Sequence, residues 1–228
     1  MAITRVQGNA RGRTSSGTSF TITLASAPTS GNVLVLTIGT RSKSDSVYSK
    51  VSSVTQTGVT WSNVISKTYG VYFNSEIWFG VVGSGASTSI DVSLSSATTG
   101  AIGDVCEYSG VATTDYTDRT ASASGWGEAS STGTTATTTQ ADELWIGSVV
   151  DFYDQSAPTN GFTLLDGEPY GNACEAYLEK IVSSTGAANS GTTIDSDSGW
   201  AGCIATFFAS AAPPVGIASK RLLVGVGL

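Results

Sequence analysis

The stretch "NVLVLTIGT", Asn32 to Thr40, is almost continuously apolar. A run of that kind fits a strand covered on both of its faces. Its neighbours follow a different rule. "SFTITLAS" (Ser19–Ser26) sets Phe20, Ile22 and Leu24 against Ser and Thr, and "TSIDVSLSS" (Thr88–Ser96) sets Ile90, Val92 and Leu94 against Asp91 and Ser93. Strict alternation describes a strand with one buried face. Further strands are predicted in "SEIWFGVVG" (Ser75–Gly83), "AIGDVCEYSG" (Ala101–Gly110), "ELWIGSVVDF" (Glu143–Phe152), "CEAYLEKIVSS" (Cys174–Ser184) and "GWAGCIATFFAS" (Gly199–Ser210). "CEAYLEKIV" alone has any helical look, and it is short and rich in residues that favour strands.

Composition agrees. The 228 residues are 40% hydrophobic, only 13% charged, and include 27 glycines. Thr and Val stiffen at χ1 and Gly is costly in a helix, so this mixture suits strands joined by turns. Spacing of roughly 8–15 residues between strands predicts an all-β protein, a single two-sheet antiparallel β-sandwich of jelly-roll type.

The chain also repeats itself. "GNVLVLTIGT" is answered by "DELWIGSVVD", and "SEIWFGVVGSGASTSIDVSLSS" by "CEAYLEKIVSSTGAANSGTTIDSD". The predicted organisation is an N-terminal arm (1–17), a sandwich (18–210) whose similar halves span about 31–110 and 142–210 and interleave, and an extended C-terminal attachment tail (211–228). Between the halves, Thr120–Gln140 is predicted to begin as a loop and to end in an edge strand at "TTATTT".

The order of "GNVLV", Gly58-Val59-Thr60-Trp61, Ile77-Trp78-Phe79, Glu107-Tyr108-Ser109-Gly110 and Glu143-Leu144-Trp145-Ile146-Gly147 resembles a β-sandwich module of phage virion and bacterial surface proteins. The resemblance runs from about Thr18 to Ser210. It implies a structural or attachment role and brings no catalytic residues with it.

Chemistry has few instruments here. The absence of histidine excludes the common Ser-His-Asp and Cys-His arrangements and the common zinc sets. Cys106, Cys174 and Cys203 have no Cys-x-x-Cys spacing and are expected as buried free thiols, with a disulfide as the alternative. Glu76 and Glu175 hold matching places in the two halves, as do Asp91 and Asp195, and all four are predicted to face solvent. "DSDSG" (Asp195–Gly199) opens like a calcium loop but lacks its later ligands, and Asp115, Asp118, Asp151 and Asp154 are further loop acids. No cofactor is expected, with structural calcium as the alternative.

The candidate partner-binding residues lie at the termini and in one loop. Arg5, Arg11 and Arg13 crowd together in a chain of net charge −7 and could dock on an acidic surface. Trp126, in "SGWGE", could stack on a sugar or on a neighbouring subunit. In "PPVGIASKRLLVGVGL", Pro213 and Pro214 cut the tail from the last strand. Lys220, Arg221, Leu222, Leu223, Val224, Val226 and Leu228 could then add a strand to the sheet edge of a capsid subunit or a second copy of this chain.

The opening "MAITRVQGNARGRTSSG" has no apolar signal region, no stretch is long enough to span a membrane, and the negative charge argues against nucleic acid. The functional expectation is therefore a non-enzymatic virion structural protein, a capsid decoration or cement protein at the virion surface, assembled in the host cytoplasm and homo-oligomeric. The alternatives are a phage tail-fibre or receptor-binding protein that grips a host glycan, and a bacterial surface adhesin or fibre subunit.

Overall fold

The structure, a computed structural model, describes residues 2–43 and 48–211. The described residues form strands and no helices. The first half supplies β1 (Thr4–Thr14), β2 (Gly17–Thr23), β3 (Val33–Ser42), β4 (Val51–Thr55), β5 (Val59–Tyr69), β6 (Phe73–Val82) and β7 (Ser89–Ser109). The second supplies β8 (Thr117–Ala129), β9 (Asp142–Asp151), β10 (Gln155–Ser156), β11 (Thr163–Asp166), β12 (Pro169–Tyr170), β13 (Ala173–Ser183) and β14 (Thr193–Phe208).

Each half makes one antiparallel sheet. The first runs β1-β7-β3-β6-β5, with β2 and β4 also on β7. The second runs β8-β14-β9-β13-β11, with β10 on β14 and β12 on β13. The pattern is the same twice: the opening strand of a half pairs with its last, the last with the "GNVLV" or "DELWI" strand, and that strand with a hairpin. The chain is thus a two-sheet sandwich of two similar halves. The halves stack face to face and do not interleave as expected. Every strand pairs within its own half, and the sheets are joined by side chains and a few backbone hydrogen bonds, such as Asn172 N–H to Thr99 O (3.2 Å) and Ser210 N–H to Gly110 O (2.7 Å). Residues 4–14, placed in the arm by the sequence pattern, form the edge strand β1 on β7.

Three apolar layers result. Between the sheets, Val33, Val35, Ile77 and Phe79 meet Leu144, Ile146, Tyr177 and Phe207. On the outside of the first sheet, Leu34, Leu36 and Ile38 are covered by Phe20, Ile22, Ile90 and Val92. The alternating strands β2 and β4 and the start of β7 turn their apolar faces onto β3, and this is why Asn32–Thr40 carries no polar face. On the outside of the second sheet, Trp145, Val149, Leu178 and Ile204 pack with Phe162 and Ile194. Leu36 is fully buried, so Leu36→Ala is expected to cost about 2–5 kcal/mol. Chemical denaturation checks this, and a cost under about 1 kcal/mol would show that the site collapses freely.

The Thr120–Gln140 expectation is reversed. Its first part is β8, paired along β14 from Ala129 to Thr117. "TTATTT" is no strand: its backbone bonds to the segment 186–192 only at intervals, as in Thr135 N–H to Ala188 O (2.9 Å) and Thr138 N–H to Gly186 O (2.9 Å). Apart from Asp118, Arg119, Trp126 and Glu128, β8 is built from Ser, Thr, Ala and Gly, so its period of two carries almost no hydrophobic contrast.

Candidate functional site

The β5–β6 hairpin turns tightly between Tyr69 and Phe73. Gly70 takes a positive φ of 53°, Tyr72 N–H donates to Tyr69 O (3.1 Å), and Ser42 N–H pins Tyr72 O (2.9 Å). This hairpin end meets β8, β14 and the end of β9, and the junction leaves a cleft of about 390 Å³. Its floor is Tyr69, Phe73 and Phe152, with Arg41 stacked 4.6 Å from the Phe152 ring centre and 5.8 Å from that of Phe73. Tyr69 lies flat against Gly199, where any Cβ would collide with its ring.

The walls come from three separate segments. Tyr72 projects from the hairpin tip, Trp126 from β8, and Tyr153 from the end of β9; they are 43%, 68% and 37% exposed. Tyr153 is held by its N–H on Asp151 Oδ1 (2.7 Å) and packs edge-on to Phe152, centroids 5.0 Å apart. Asp197, exposed on β14, supplies the polar edge. Large aromatic faces open to water are costly, and three around one cleft describe a recognition surface.

The arginines singled out in the sequence have partners inside the chain. Arg5 pairs with Glu179 (3.4 Å), and Arg13 stacks over Tyr170 at 4.3 Å. Arg11 reaches between the sheets: its Nε donates to Asp104 Oδ1 (3.2 Å), and its Nη2 pairs with Asp166. The tail residues Lys220, Arg221, Leu222, Leu223, Val224, Val226 and Leu228 lie outside the described residues.

Asp91 and Asp195 are exposed, as expected, but Glu76 and Glu175 are not. Glu76 is 3% exposed beneath Asn63 and Val51, and takes hydrogen bonds from Val51 N–H (2.8 Å), Trp78 Nε1 (2.8 Å), Asn74 Nδ2 (2.5 Å) and Asn63 Nδ2 (3.2 Å). Glu175 points between the sheets and is fully buried, with Ser148 donating to its Oε1 (2.8 Å). Alternation alone could not reveal this, because both faces of these strands are covered.

Asp104 is the inter-sheet partner of Glu175. Burial raises both carboxyls, Asp104 to about 6 and Glu175 well above the carboxylate range. Burial thus disfavours charge on Glu175 more than on Asp104, which Arg11 holds from the other side. Neither acid touches solvent, so this pair ties the sheets together and cannot reach a substrate. All three cysteines are buried and free, and no three His, Cys, Asp or Glu side chains among the described residues converge on a cation-sized site. Set against protein-family models, curated proteins and solved structures, the chain matches none.

Proposed function

We propose that this chain is a non-catalytic carbohydrate-binding protein, of the receptor-binding kind, whose ligand lies in the cleft between Tyr72, Trp126 and Tyr153. The carrying observation is that three separate segments converge to expose aromatic faces at one place. The C–H face of a pyranose is weakly positive and packs on the negative face of an aromatic ring, while its hydroxyls need polar partners such as Asp197 at the edge. The buried position of Asp104 and Glu175 supports a binding role over a hydrolytic one.

The resemblance to virion and surface modules supports a place on such an assembly, where a glycan is the natural first contact. Capsid decoration through the termini is supported less well, since Arg5, Arg11 and Arg13 have partners within the chain.

Binding to immobilised bacterial surface polysaccharides tests the reading. Trp126→Ala is expected to weaken binding at least about tenfold, about 1.4 kcal/mol, with an unchanged denaturation midpoint because the ring is exposed. Wild-type protein that binds no polysaccharide, or a variant that binds equally well, would sink it.

A further inference from the structure

Among the described residues only four aromatic side chains count as exposed: Tyr48, Tyr72, Trp126 and Tyr153. Three line the cleft already described. The fourth, Tyr48, lines a second cavity of about 270 Å³ on the opposite face of the same hairpin. The register of β5 and β6 explains the arrangement. The cross-strand pair Tyr69–Phe73 faces the first cavity, and the adjacent pair Thr68–Asn74 faces the second. Tyr72, at the tip, lines the first.

The second cavity differs in chemistry. Tyr48 and the half-buried Trp78 form its apolar sides, and Lys50 sits 6.0 Å from the Tyr48 ring centre. Its floor is polar and fixed: Asn74 and Glu76 are 2% and 3% exposed and locked to one another and to Trp78. Asn63, Ser66 and Thr68 add groups that donate and accept at its rim. An aromatic side over a rigid amide and carboxylate floor suits a hydroxyl-rich, uncharged ring. Each cavity sets one acid beside one cation, Glu76 with Lys50 here and Asp197 with Arg41 in the other, so neither lining carries a net charge that would favour an anionic sugar.

We infer that the two cavities are subsites for one extended neutral polysaccharide, which crosses the tip of the β5–β6 hairpin over Tyr72 and so contacts both sheets. This rests on the carbohydrate reading of the first cleft and adds to it a second subsite, a minimum ligand length and a charge preference. A short ligand fills one subsite. A longer one gains the second as an intramolecular event, so affinity climbs with length until both are filled.

Calorimetric titration with neutral β-1,4-gluco-, β-1,4-xylo- and α-1,4-gluco-oligosaccharides of two to six units tests this, with oligogalacturonates as the acidic series. In one neutral series the Kd is expected to fall by about tenfold or more between the shortest and longest members. Tyr48→Ala should erase that gain and leave the shortest ligand unaffected, whereas Trp126→Ala should weaken every member. Both side chains are exposed, so both variants should keep the wild-type denaturation midpoint. Affinity that is flat with length, or a Tyr48→Ala variant that behaves as wild type, would overturn the second subsite and leave the cleft intact. Tighter binding of the acidic series would overturn the charge preference. Failure of every series and of whole polysaccharides would remove both readings together.

Discussion

Arg11→Ala is expected to cost about 3–5 kcal/mol of folding stability at pH 8, the largest loss from any single surface-accessible arginine in the chain. Arg11 is the cation of a cluster that also holds Asp104, Asp166 and Glu175, whose charged form burial disfavours. Removing it leaves the Asp104 carboxylate fully buried with no counter-charge. Attraction in such a place is strong, but so is the desolvation it offsets, and the asymmetry appears when one partner goes. The loss should shrink at pH 5, where Asp104, already raised to about 6, takes a proton and no longer needs the guanidinium. Arg11→Lys keeps the charge and loses the fork that serves Asp104 and Asp166 together, so it should recover only part of the stability. Urea midpoints at both pH values, at constant m, provide the measurement. A cost below about 1 kcal/mol at pH 8 would return Arg11 to the role its sequence context suggested, a side chain aimed at a partner.

That contrast shows where the sequence was legible. Period-two alternation found β2 and the start of β7, and an unbroken apolar run found the covered β3, because hydrophobic pattern reports which faces are buried. The half-repeat was legible for the same reason, since "GNVLVLTIGT" and "DELWIGSVVD" both fill the centre of a sheet. Alternation failed where the contrast vanished. β8 is mostly small residues, and its pairing with β14 rests on backbone bonds that any residue can make. It also misassigned Glu76 and Glu175, because a polar residue in a strand is assumed to face water, and here an outer layer covers one and the opposite sheet the other. Trp126 stood out because a Gly-rich context leaves a large ring nothing nearby to pack on. Tyr48, Tyr72 and Tyr153 carried no such mark. They become a site only when the hairpin, the β4 approach and the end of β9 are brought to one corner of the sandwich.

Stability should fall steadily from pH 5 toward pH 8, and buried acids are the reason. Glu143, Asp151 and Glu175 each hide one carboxylate oxygen with no hydrogen-bond donor. Burial raises Glu143 to about 7 and Asp151 to about 8, the latter helped by Asp154 and Asp195 nearby, and pushes Glu175 well up. The sign follows from proton counting. In the unfolded chain these carboxyls ionise near pH 4, whereas in the folded protein Glu143 and Asp151 hold their protons until pH approaches 7 and 8, and burial shifts Glu175 in the same direction. Across that window the folded state binds more protons, so stability is lost as pH rises, by up to about 1.4 kcal/mol per pH unit for each such group. Asp151 offers the cleanest test. Asp151→Asn keeps an oxygen for Tyr153 N–H and removes the ionisation. It should match the wild type near pH 5, exceed it at pH 8, and show a flatter melting profile between. Glu128→Gln, on an exposed part of β8, removes the same charge without the burial and should leave the slope unchanged. Melting temperatures that stay level or rise from pH 5 to 8 would mean that these carboxylates are ionised and solvated inside the fold.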